Sequence, residues 1–156
     1  MRGYTLIEVL VGLTIIGIVF SAGFVSFREF SRRQAVVGVA KQIKGDLRLA
    51  QSSAISGKKP TDCTAILNGF NFRVVDVSNY ALEADCRGAL APAMVKNVTL
   101  PSGVTISVSP SPNPIVFKAL GQGTNITLGG SATLTLIQTG TNNQATITVT
   151  AGGEIK

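Results

Sequence analysis

Residues 3–27 read GYTLIEVLVGLTIIGIVFSAGFVSF, and from Val9 to Phe27 no charged residue interrupts them. Those 19 residues include twelve that are Val, Leu, Ile or Phe. As a helix rising about 1.5 Å per residue they span roughly 28 Å, close to the ~30 Å hydrocarbon core of a bilayer. The large apolar side chains contribute roughly −4 to −7 kcal/mol to insertion, and the one carboxylate, Glu8, opposes it by about 3 kcal/mol. The stretch is therefore expected to cross a membrane. A cleaved secretory signal, with Arg2 as its basic start and Ser21-Ala22-Gly23 as its small-residue site, fits less well. Glu8 stands where the apolar core of a signal should begin, and the helical pattern runs past Phe27 into charged sequence.

Beyond Arg28 the pattern turns amphipathic. Val36, Ala40, Ile43, Leu47, Ala50 and Ala54 fall three or four apart, a stripe at helical period that must pack on something. Gly57-Lys58-Lys59-Pro60 then reads as a helix stop. The net charge of +6 resides here: residues 28–59 hold eight basic side chains (Arg28, Arg32, Arg33, Lys41, Lys44, Arg48, Lys58 and Lys59) against Glu29 and Asp46. Residues 60–156 balance at five of each sign. Such a basic helix suits a solvated face beside anionic headgroups, and it also admits phosphate contacts with DNA, although no aromatic residues interleave with the charges.

The run Gly3-Tyr4-Thr5-Leu6-Ile7-Glu8-Val9-Leu10-Val11, with Gly12-Leu13-Thr14-Ile15-Ile16-Gly17-Ile18 after it, resembles the type IV prepilin signature. The resemblance implies a leader of Met1-Arg2-Gly3, cleavage by a prepilin peptidase between Gly3 and Tyr4, N-methylation of Tyr4, and retention of the apolar helix. It places the family's glutamate, fifth from the new terminus, at Glu8. A carboxylate near hydrocarbon needs a partner, and the freed amine of Tyr4 on a neighbouring subunit would supply one and set a filament register. The plainer reading of Glu8 is an interfacial carboxylate reaching into headgroups.

From residue 64 on, short β-rich runs alternate with turns. Phe70–Val77, Met94–Leu100, Val104–Val108, Ile115–Lys118, Asn125–Leu128, Ala132–Gln138 and Gln144–Thr150 are predicted strands. Ala145, Ile147 and Val149 alternate with Thr146, Thr148 and Thr150, as in a sheet with one wet face. Thr139-Gly140-Thr141-Asn142-Asn143 is a predicted hairpin connection, and Ser109-Pro110-Ser111-Pro112-Asn113-Pro114 a loop. The two cysteines, Cys63 and Cys86, read as an intramolecular disulfide in an exported domain, with two buried thiols as the alternative. Asp46-Leu47-Arg48-Leu49-Ala50-Gln51-Ser52-Ser53-Ala54 near the helix end is similar to the GspH/FimT family of minor pilins and pseudopilins. Ile115-Val116-Phe117 with Gly121, and Ile147-Thr148-Val149 with Gly152-Gly153-Glu154-Ile155, fit it too.

The sequence thus predicts an α+β chain: a long N-terminal helix packed on an antiparallel β-rich head. Its expected divisions are a leader (1–3), a transmembrane and assembly helix (4–27), an amphipathic helix (28–59) and an extracytoplasmic head (60–156). With no histidine and no visible nucleophile–base set, neither an enzyme nor a cofactor or metal site is expected. The expected partners are other pilin or pseudopilin subunits, a prepilin peptidase and the plasma (inner) membrane that holds the chain before assembly. The alternative is a DNA-binding minor pilin using the eight basic residues. Some FimT-like members bind DNA through a basic C-terminal segment, but here the tail sets Glu154 beside Lys156.

Overall fold

The computed structural model describes residues 3–64, 66–88, 91–141 and 143–156, without the side chains of residues 22–26. Leader residues 1 and 2 and Asn142 of the expected hairpin lie outside the described residues. Two compact units emerge, one ending at Gln34 and one over Ala35–Lys156. Helix α1 (Leu6–Ile55) contributes its first part to one and its remainder to the other.

In the second unit every member of the expected stripe, Val36, Ala40, Ile43, Leu47, Ala50 and Ala54, is buried, and Val39 joins them. The helix ends where its stop signal lies. Lys58 N–H reaches the Ser53 carbonyl at 3.0 Å and Gly57 N–H that of Ala54 at 3.2 Å, with Gly57 at a φ of 63°. This is a Schellman ending, in which a glycine accepts the left-handed turn that satisfies the last carbonyls.

The head holds two antiparallel sheets. In the first, strands β1 (Leu67–Asp76), β2 (Asn79–Cys86), β3 (Ala93–Thr99) and β5 (Ile115–Lys118) lie in the order β3-β2-β1-β5. In the second, β4 (Val104–Ser109), β6 (Ser131–Gln138) and β7 (Gln144–Thr150) lie in the order β4-β6-β7. Side chains from the helix and from both sheets form one core, with Ile43, Leu47, Phe72, Tyr80, Ile115, Leu134 and Ile147 fully enclosed. Gly69 is required in β1, because a Cβ there would collide with the Phe117 carbonyl of β5. The β6–β7 hairpin forms as expected, and Ile147 and Val149 face inward while Thr146 faces water.

Two expectations need correction. The segment Asn125–Leu128 is not a strand: the Asn125 side chain turns back to accept from Val116 N–H and to donate to the Pro114 carbonyl. Conversely, β2 was absent from the expected strands. Its Glu83 and Asp85 have low strand propensity and mask the alternation of Tyr80, Leu82, Ala84 and Cys86, all buried.

A polar tie centred on Asp46 links the helix to the first sheet. Asp46, only 6% exposed, accepts from the Tyr80 hydroxyl at 2.7 Å and from Lys96 Nζ at 2.7 and 2.9 Å. Burial, with the Asp46 carboxylate beside it, pushes the Tyr80 phenol above its ordinary value. Because the folded phenol holds its proton more tightly than the unfolded one, its contribution is present below about pH 10 and is lost as pH rises above it. Chemical unfolding of the full chain in detergent should therefore show stability falling above that pH, and Tyr80→Phe should flatten the fall. Asp46→Ala should lower stability at neutral pH by about 2–3 kcal/mol, the scale of hydrogen bonds to a charged group.

Candidate functional site

The described N-terminal unit begins with a reciprocal cap. Glu8 N–H reaches Thr5 Oγ1 at 3.4 Å, and Thr5 N–H reaches Glu8 Oε2 at 3.5 Å. This Thr-x-x-Glu capping box gives Glu8 a local task that the sequence reading missed, although its spacing carried the signal. The carboxylate also faces the positive end of the helix dipole, which favours it. Tyr4, the expected first residue after cleavage, is exposed, as is Glu8.

Behind the cap the helix is apolar on every side. Eleven large apolar side chains between Leu6 and Phe20 are 47% to 83% exposed. The polar side chains among them make no outward demand: Thr14 Oγ1 donates to the Val11 carbonyl at 2.8 Å and Ser21 Oγ to that of Gly17 at 2.7 Å. A helix apolar all round is stable only when enclosed by hydrocarbon or by other helices. Among the described residues no helix is long and apolar enough to cross a membrane. The uncharged run Val9–Phe27 includes residues 22–26, whose side chains lie outside the described residues.

In the head, the motif residues of the helix are its anchors. Asp46 ties to β2 and β3 as above, and Gln51 Nε2 donates to the Gly153 carbonyl at 2.8 Å. Gly153 has a φ of 89°, and a Cβ there would crowd Gln51, so this glycine is what lets the C-terminal turn meet the helix. Ile115 and Phe117 of β5 are both core residues. Cys63 and Cys86 form the expected disulfide, with Cα atoms 5.7 Å apart.

The profile of the family described as Type II transport protein GspH matches residues 39–153, most of the chain. The chain belongs to the GspH family. A second profile, described as Prokaryotic N-terminal methylation motif, matches residues 1–24. No curated protein and no solved structure matches the chain. A GspH head behind a methylation motif supports a pseudopilin or minor pilin role, and members of this family are structural subunits. Membership implies processing by a prepilin peptidase, membrane anchoring, and assembly with other pilin or pseudopilin subunits.

Of the basic residues considered for DNA, Arg28, Arg32 and Arg33 fall in the first unit, and Lys41, Lys44, Arg48, Lys58 and Lys59 in the GspH-like head. Lys58 and Lys59 line a cavity of about 350 Å³ together with Asp62, Leu49, Met94 and Val95, a mixed wall rather than a basic stripe. Among the described residues the Glu8 carboxylate bonds to Thr5, at the start of its own helix and outside the head. Glu8→Ala should consequently leave the unfolding free energy of the head unchanged to within about 0.5 kcal/mol, measured by denaturant titration of the full chain in detergent.

Proposed function

We propose that this GspH-family chain is a minor subunit of a type IV pilus or type II secretion pseudopilus that helps to initiate or cap filament assembly. The observation that carries the proposal is the apolar, exposed N-terminal helical surface led by a single capped carboxylate. Such a surface needs an apolar surround, and two are available to it in turn: the plasma (inner) membrane, crossed once with the head outside, and then a bundle of like helices. A contact between neighbouring subunits that is head-to-tail and does not close produces a filament.

In this reading residues 1–3 are the leader, 4–27 the membrane and assembly helix, 28–59 the amphipathic continuation, and 60–156 the head. Cleavage between Gly3 and Tyr4 frees an amine, which is methylated, and Glu8 of one subunit takes the amine of its neighbour as a counter-ion. Removing one member of a buried ion pair costs about 3–5 kcal/mol, enough to decide the register of otherwise slippery apolar helices.

Mass spectrometry of the N-terminus, on protein recovered from its native membrane, tests the processing step. The expected wild-type chain begins at methylated Tyr4, and Gly3→Ala retains its leader. A start near Phe24 would mean secretion by signal peptidase and would overturn the filament reading. Glu8→Ala should accumulate in the membrane and be lost from sheared filaments, as read by immunoblotting of the two fractions.

A further inference from the structure

Just past the end of α1 the head carries an open cavity of about 560 Å³ whose walls include Ile66, Leu67, Ala119, Leu120, Lys59 and Arg87. Its apolar rim is presented to solvent: Ile66 is 66% and Leu120 76% exposed. Leu120 also has a left-handed backbone, with φ 57° and ψ 30°. Among the described residues eight glycines have positive φ, and Leu120 is the one residue with a side chain that does. That conformation disfavours a Cβ, and the exposed side chain gains little from packing inside the head. Backbone strain held at an exposed position is a feature of binding surfaces.

The charge of the same walls is one-sided, with Lys59 and Arg87 and no carboxylate. The 2.8 Å bond from Arg87 N–H to the Ile66 carbonyl, next to the Cys63–Cys86 disulfide, holds one of the cations and one side of the apolar rim in the same frame. We propose that this cavity docks an extended segment of a neighbouring protein chain in which an apolar side chain is flanked by a carboxylate. The apolar side chain sits against Ile66 and Leu120. The carboxylate takes the planar guanidinium of Arg87, with Lys59 as a second point charge. A nucleic acid would use the two cations but would have no need of a strained, exposed leucine. This inference rests on the filament reading for the neighbour that supplies the segment, but its test does not require filaments.

The probes are Glu-Leu-Asp-Leu-Glu-amide carrying fluorescein on its N-terminal amine, its Gln/Asn counterpart, and a short labelled duplex DNA, titrated into the full chain in detergent micelles and read by anisotropy. Saturable binding of the acidic peptide is expected, weakened at least about tenfold by Leu120→Asn, by Arg87→Gln and for the Gln/Asn peptide. Since asparagine tolerates the left-handed conformation, Leu120→Asn should unfold at the wild-type temperature or above it. The proposal is overturned if no peptide saturates, if the acidic and neutral peptides bind alike, or if Leu120→Asn binds as wild type or is less stable. It is likewise overturned if duplex DNA binds in a manner that depends on Arg87 but not on Leu120. A chain that binds the peptide yet never enters filaments would sink the filament reading and leave the docking surface standing.

Discussion

A carboxylate on the buried face of a helix is a demanding constraint, and Asp46 imposes it on the whole head. A charge taken out of water costs several kcal/mol unless it is paired and hydrogen-bonded. The chain meets this by bringing Tyr80 from β2 and Lys96 from β3 over the same turn of α1. Tyr80 pairs with Val98 and Leu82 with Lys96 across the β2–β3 ladder, so both polar groups point to the helix only in this register. A slip of one residue would turn each to the opposite face and strand the carboxylate. A second clamp, between Arg73 of β1 and the buried Glu83 of β2, fixes the same sheet from its other face.

The two units meet the hydrophobic effect in different ways. The head encloses its own apolar side chains between helix and sheets, closes the loop after the helix with a disulfide, and seals its C-terminal turn through Gln51 and Gly153. The described N-terminal unit leaves its large apolar side chains exposed, while Thr14 and Ser21 bond to carbonyls of their own helix and the Thr5–Glu8 cap serves two of its first amides. An apolar helical surface whose Thr14 and Ser21 hydroxyls are bonded within the helix suits a change of apolar environment, because those groups need no new partner when lipid gives way to a helix bundle. That is the physical basis for a subunit that is stored in one phase and used in another.

Much of this was legible without coordinates. The stripe from Val36 to Ala54 appeared because helical period is a local property, and each member proved to be buried. The glycine stop at Gly57 and the last hairpin appeared for the same reason. The strand β2 did not, since Glu83 and Asp85 argue against a strand on their own account, and Glu83 is acceptable there only because Arg73 of the adjacent strand meets it. Asn125–Leu128 failed the other way: its apolar residues suggest a strand, but the Asn125 side chain occupies the backbone groups that a strand would have used. The Glu8 cap was visible as a Thr-x-x-Glu spacing that attention to the membrane run obscured.

The sequence by itself determined what can be read at short range: an apolar N-terminal run, an amphipathic helix and its stop, most of the strands, and the signature that marks the family. Only the tertiary structure decided which distant groups meet. Asp46 finds Tyr80 and Lys96, Gln51 finds Gly153, and Lys59, Arg87 and a strained Leu120 come to share one cavity. Periodicity and turn chemistry act within a few residues along the chain, whereas these contacts depend on sheet register, which is fixed only when all the elements have packed together.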